Sequence, residues 1–149
     1  MSTIESPTRS WEDAAALVLG AFLLFAGVTH FTNPDFFNEI VPPWLPPSEE
    51  FWTYLSGVAE IIVAVMIFRR STRRAGAHAA VWLFVAVYPA NLYMVWDWRS
   101  RSIAEQLVSY VRLPFQFLFI WVAWRIASRA HRDELRMPGD VVAGGYNNR

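Results

Sequence analysis

The chain contains no cysteine and no lysine. Without a thiol it forms no disulfide, offers no thiolate to a metal and performs no dithiol redox chemistry with its own side chains. Without lysine, every fixed cation is an arginine. Charge of either sign is scarce: charged residues make up 17% of the 149 positions, against about 25% in an ordinary soluble domain. The 13 acidic and 13 basic residues leave no net charge. No basic stripe of the kind nucleic acid requires is present, so nucleic acid is not an expected partner. Several motifs are missing as well. There is no Gly-x-Ser-x-Gly elbow, no phosphate-cradling glycine loop and no His-Glu-x-x-His, which removes the templates for a serine hydrolase, a nucleotide binder and a zinc protease.

What is abundant is apolar surface. Hydrophobic residues reach 54% and aromatics 16%, with 8 tryptophans. They are concentrated in four runs. About 20 apolar residues at 1.5 Å rise cross the hydrocarbon of a bilayer. Residues 14–31, 51–68, 75–98 and 107–127 meet that length. A soluble helical bundle would show a polar stripe with helical period on each run. These runs are apolar nearly all round, so the sequence predicts an all-α, four-helix transmembrane bundle. No basic n-region precedes the first run, which carries Glu5, Glu12 and Asp13 ahead of it, so it reads as a retained helix and not as a cleaved signal.

Arginine distribution sets the expected orientation. Arg69, Arg70, Arg73 and Arg74 crowd the connection between the second and third runs, and Arg129, Arg132 and Arg136 follow the fourth. Only Arg99 and Arg101 flank the opposite side. Both termini are therefore expected in the cytoplasm of a multi-pass cell-membrane protein. The organisation is a cytoplasmic segment 1–13, a membrane domain 14–127 and a largely disordered cytoplasmic tail 128–149. Trp11 on the inner side and Trp44, Trp52, Trp96 and Trp98 on the outer side suit the interface, where the ring is apolar and its N–H finds a polar partner. The outer connection 33–50 is proline-rich. Asn33 before Pro34 forms an N-cap and N1 pair, predicting a short helix from Pro34 to about Ile40 that serves as a lid or an interfacial anchor.

Polar side chains within the runs carry the functional signal, because a charge near the bilayer centre costs about 2.5–3.5 kcal/mol on insertion scales. His30, Glu60, Asn91, Arg112 and Gln116 all fall in the outer half, delivered by four different helices. His78 lies at the inner end, so the two spanning histidines sit apart and no metal site is expected. Gly57, Glu60 and Ala64 lie at i, i+3 and i+7, a small-residue stripe that admits a close neighbour. Glu60 and Arg112 form either a register-fixing ion pair or a pair that handles protons or a ligand. Asn91 and Gln116 read first as interhelical hydrogen-bond glue. His30 is a helix-end residue or a ligand contact. Tyr54, Tyr88 and Tyr93 are candidates to line an apolar ligand or to pack. Pro89 and Pro114 free the carbonyls of Val85 and Tyr110, which in a membrane need another partner.

Taken in order, Gly27-Val28-Thr29-His30-Phe31, Pro34 with Phe37, Pro42 and Pro46, Ser56-Gly57-Val58-Ala59-Glu60, the basic loop, Pro89-Ala90-Asn91-Leu92-Tyr93-Met94 and Arg112-Leu113-Pro114-Phe115-Gln116 resemble the DoxX and DoxX-like membrane protein family. The resemblance spans about Ala14 to Ala127. It implies a compact four-helix bundle and His30, Glu60, Asn91, Arg112 and Gln116 as family-like polar positions. It further implies a small subunit of a quinone-coupled membrane oxidoreductase or oxidative-stress system, with quinone as the ligand and oxidoreductase proteins as partners. In that role Glu60 and Arg112 would manage protons and charge, and Asn91 and Gln116 would orient a carbonyl. The rival expectation is a non-enzymatic membrane scaffold or assembly factor, in which the cluster is structural. A small-solute transporter fits less well, given the short chain and no clear inverted repeat.

Overall fold

The computed structural model describes residues 11–136, and they form helices joined by short connections. The order is α1 (Trp11–Thr32), α2 (Pro34–Asn38), α3 (Glu49–Phe68), α4 (Arg73–Asp97), a 3-10 turn (Trp98–Ser100) and α5 (Ile103–Arg136). Four of these helices are long and apolar enough to cross a membrane. α1 begins at Trp11, so the last three residues of the expected leading segment are already helical. α5 continues to Arg136, nine residues past the expected end of the membrane domain. The part of the expected disordered tail that follows, from Met137 on, lies outside the described residues.

Local chemistry explains the helix ends. Ser48 accepts a hydrogen bond from the Phe51 N–H at 3.2 Å and caps α3. Ser102 and Glu105 form a reciprocal capping box at the start of α5, with Ser102 N to Glu105 Oε2 at 3.0 Å and Glu105 N to Ser102 Oγ at 3.4 Å. At the turn between α3 and α4, Thr72 Oγ1 donates to the Met66 carbonyl at 2.9 Å and Arg73 Nε to the Ile67 carbonyl at 3.0 Å. Those are carbonyls that the end of α3 would otherwise leave unpaired. α2 is a five-residue helix with Pro34 at its start, ending two residues before the expected Ile40. Asn33 occupies the N-cap position, but its side chain makes no capping bond.

The spanning helices form a closed ring in which α1 packs on α3, α3 on α4, α4 on α5 and α5 returns to α1. The backbones do not approach across either diagonal, where the Asp13–Arg73 ion pair links the start of α1 to the start of α4. Two pairs are packed most extensively, α1 with α3 and α4 with α5, while α1 and α5 meet least. The α1–α3 approach depends on two glycines. A Cβ on Gly27 would lie 2.8 Å from the Gly57 carbonyl oxygen, and a Cβ on Gly57 would lie 3.0 Å from the Gly27 carbonyl oxygen. The predicted small-residue stripe is therefore where two backbones meet.

Packing is unequal along the ring axis. One end is solid, filled by Ala16, Leu19 and Leu23 of α1, Val63, Ala64 and Ile67 of α3, Ala77 and Ala80 of α4, and Ala123, Ile126 and Ala127 of α5. The same end carries the charges of both chain ends and of the arginine-rich turn. Glu12 is buried and meets Arg129 at 3.0 Å and Arg125 at 3.7 Å, and Asp13 meets Arg73 at 2.8 Å. Trp11 stacks on Trp121 with centroids 6.0 Å apart, and Arg125 lies over the Trp11 ring. The start of α1, the α3–α4 turn and the later part of α5 thus share one side. At the other end a separate apolar cluster of Ile40, Met94 and Trp98 joins the α2 segment to α4. Between these two plugs the ring is hollow.

Candidate functional site

The hollow is a cavity of ≈ 660 Å³, within the range of about 300–1,000 Å³ usual for small-molecule sites. His30, Glu60, Asn91, Arg112 and Gln116 all line it. His78 is exposed and takes no part. Most of the remaining wall is apolar and aromatic, including Phe22, Phe25, Phe37, Phe84, Phe115 and Phe119. Tyr54, Tyr88 and Tyr93 do not reach the cavity. Tyr54 stacks on Phe31, Tyr88 meets Phe117 edge-on and Tyr93 packs beside Trp96. Of the two roles open to these tyrosines, packing is the one observed, and phenylalanines supply most of the aromatic lining.

The floor is a ring stack. Phe119 lies 4.6 Å from Phe22 and 5.4 Å from Phe84, joining α1, α5 and α4. The roof is α2 and the residues just after it. Phe37 stacks on His30 at 3.7 Å, Phe36 meets Trp98 edge-on, and Ile40 is buried. Arg101 ties this roof to the bundle. Its guanidinium lies 2.8 Å from Glu39, 3.6 Å from Asp97 and 3.7 Å from Glu105, over the Trp98 ring. The hydrogen bond to Glu39 pushes the Arg101 pKa above its ordinary value.

Of the two arrangements open to Glu60 and Arg112, the direct ion pair is not formed. The nearest ionisable side chain to Glu60 is His30, with Nδ1 3.5 Å from Oε2. The α1–α3 glycine contact causes this, because it brings His30 directly above the Glu60 helix. The His30 Nδ1 is also 2.8 Å from the Ala26 carbonyl. A carbonyl only accepts, so Nδ1 carries a proton directed down its own helix. Glu60 Oε2 is buried and receives no hydrogen bond. Arg112 finds only the Met94 sulfur at 3.8 Å, and among the described residues no carboxylate lies within 4.0 Å of it. A carboxyl group and a guanidinium thus face one cavity without meeting.

Asn91 and Gln116 are committed elsewhere. The Asn91 amide donates to Gln116 Oε1, and the Gln116 amide donates to the Phe84 carbonyl. Gln116 serves a carbonyl one residue before Val85, the position expected from Pro89. The amide pair fastens α4 to α5 and forms a wall of the cavity.

Sequence reasoning missed Thr53. It is 2% exposed, lines the cavity seven residues before Glu60 on α3, and its hydroxyl has no hydrogen-bond partner. Ser56 lines the same wall. The α3 face therefore presents a hydroxyl and a carboxylate oxygen, both unpartnered, opposite a guanidinium from α5. That set accepts a polar group that both donates and accepts, with apolar surface around it. Among the described residues no cluster of three or more His, Asp or Glu is placed to hold a metal.

Fold and cavity together define an all-helical bundle of membrane-spanning type with an internal amphipathic chamber. The chain belongs to the family described as domain of unknown function DUF8561, whose model matches residues 19–127. The matched range contains every spanning helix in whole or in large part and all the polar residues of the cavity. Neither a curated protein nor a solved structure matches the chain.

Proposed function

We propose that the protein is a small multi-pass subunit of the cell membrane that binds quinone or a similar apolar molecule with a polar head, in the manner the DoxX-like resemblance implies. It serves an oxidoreductase or oxidative-stress system through partner proteins, with both termini and the arginine-rich turn in the cytoplasm. The single observation that carries the reading is the buried Glu60 carboxyl oxygen that receives no hydrogen bond inside a largely apolar cavity. A polar group without a hydrogen bond is costly in a membrane, and the hydroxyl of a reduced quinone or a similar head group supplies the donor that is missing, which a quinone carbonyl does not. Arg112 offers the complementary donors. The absence of cysteine places any thiol step on a partner.

Native mass spectrometry of the protein in nanodiscs, beside Glu60→Gln and Arg112→Gln, tests this. A small molecule retained by the wild type and lost from both folded variants supports it. Retention of a protein partner with no small molecule, unchanged by either substitution, would favour the non-enzymatic scaffold and leave Glu60 as a structural residue.

A further inference from the structure

We infer that the cavity is entered sideways from the bilayer, through a window between the outer halves of α1 and α5 edged by Phe25 and Phe115, and that its occupant is a lipid-resident amphiphile whose apolar chain lies in that window. The occupant rests on the ligand-binding reading above, whereas the window does not.

The argument begins with which parts of the wall are also exterior. Every cavity-lining residue contributed by α3 and α4, including Thr53, Glu60, Leu83, Val87 and Asn91, is buried or half-buried. On α1 and α5 the pattern differs. Phe25 is 71% exposed, Phe115 49% and Val111 42%, yet all three line the cavity. A side chain can face both the chamber and the outside only where the wall is breached. The breach falls between the two helices that touch least. Their ties are confined to the inner half, where Trp11 meets Trp121, Glu12 meets Arg125 and Arg129, and Phe22 meets Phe119. Among the described residues no hydrogen bond, ion pair or ring stack joins α1 to α5 beyond Phe22–Phe119.

The aqueous side is tighter by contrast: of the roof residues that line the cavity only Phe36 is exposed, at 36%. Phe37 on His30, buried Ile40 and the Arg101 clamp hold α2 over the mouth. The window edge is aromatic and aliphatic, so it admits hydrocarbon. The polar atoms lie deeper, with Thr53 and Glu60 on α3 and the Arg112 guanidinium on α5. The occupant this selects has a compact head carrying a hydrogen-bond donor for Glu60 and an acceptor for Arg112, followed by an apolar chain that remains in contact with lipid.

A cysteine-free chain makes the test clean. Ser56→Cys puts one thiol on the cavity wall, and Ser100→Cys puts one on the exposed outer turn as a reference. In nanodiscs, a long-chain alkyl maleimide should label Ser56→Cys, while a membrane-impermeant sulfonated maleimide should label it at least about tenfold more slowly than Ser100→Cys. Adding Ala26→Trp, which plugs the window, should slow the alkyl reagent about tenfold without changing the impermeant rate. Adding Phe25→Ala, which trims an exposed ring and leaves the core intact, should speed it. Impermeant labelling of Ser56→Cys as fast as Ser100→Cys would overturn the inference. So would no labelling by either reagent, or an alkyl rate indifferent to both window substitutions. A window that passes these tests beside a protein that retains no amphiphile removes the occupant and the proposed ligand-binding function together.

Discussion

Gln116 of α5 holds two groups of α4 at once, receiving the Asn91 amide on its oxygen and giving its own amide to the Phe84 carbonyl. Gln116→Leu leaves a buried amide and a buried carbonyl without their partner. Polar contacts between membrane helices contribute about 0.6 kcal/mol on average and up to about 1.7 kcal/mol. Losing two should lower stability by about 1–2 kcal/mol, read from unfolding in mixed detergent. A double-mutant cycle of Asn91→Ala with Gln116→Ala should return a coupling of about 0.5 kcal/mol or more. Strict additivity would show that the pair carries no interaction energy.

The glycine contact between α1 and α3 gives a sharper expectation. A methyl at Gly57 meets the His30 Cβ at 2.8 Å and the Gly27 carbonyl oxygen at 3.0 Å. Backbone cannot yield as a flexible side chain can. Gly57→Ala should therefore force the helices apart and destabilise by about 1–3 kcal/mol. It should also widen the gap between His30 and Glu60. Thermal unfolding in detergent checks the first effect; an unchanged melting temperature would mean the helices do not approach this closely.

Much of this fold was legible because its signals are blunt. Four long apolar runs have few soluble interpretations, and the rare polar residues within them had to face inward, which is why His30, Glu60, Asn91, Arg112 and Gln116 were found together. Which of them touch was not legible. Helical spacing fixes a face, but the Gly27–Gly57 contact sets the neighbour, and it gives Glu60 to His30 instead of Arg112. Thr53 was invisible for a different reason. Hydroxyls in helices usually bond a carbonyl three or four residues back, as Thr29 does to Ala26, Ser109 to Gln106 and Ser128 to Trp124. Nothing in the sequence distinguishes a hydroxyl that does not, such as Thr53. Glu12 and Asp13 entered the sequence argument only as evidence against a cleaved signal, whereas their partners are arginines distant in sequence.

Thr53 provides a way to separate binding from folding. Its buried hydroxyl has no partner, so Thr53→Val removes an unsatisfied group of nearly the same size. Unpaired buried hydroxyls cost about 1–3 kcal/mol, so the empty protein should melt no lower than the wild type, or higher. Retention of the bound amphiphile should fall. If the variant melts lower instead, the hydroxyl has a structural partner and belongs to the packing.

The clamp on α2 predicts a change in access. Arg101→Gln removes contacts to Glu39, Asp97 and Glu105 at partly exposed positions, where such pairs contribute about 0.2–1 kcal/mol. Labelling of Ser56→Cys by the impermeant maleimide should therefore rise about two- to fivefold. The alkyl reagent, which bypasses the roof, should be unaffected. Equal acceleration of both reagents would mean that Arg101 supports the whole bundle and not the roof alone.

The Trp11–Trp121 stack and the arginines that receive Glu12 bear on how the protein is made. α1 is synthesised before the other spanning helices, but Trp121, Arg125 and Arg129, which secure its N-terminal end, belong to the last of the four. Until they arrive, α1 can pair with α3 through glycine, and the buried Glu12 has no cation from α5. The ring therefore cannot close in the order it is synthesised. Its final seam is the α1–α5 side, and closing the ring fastens only the half of that seam nearest the start of α1.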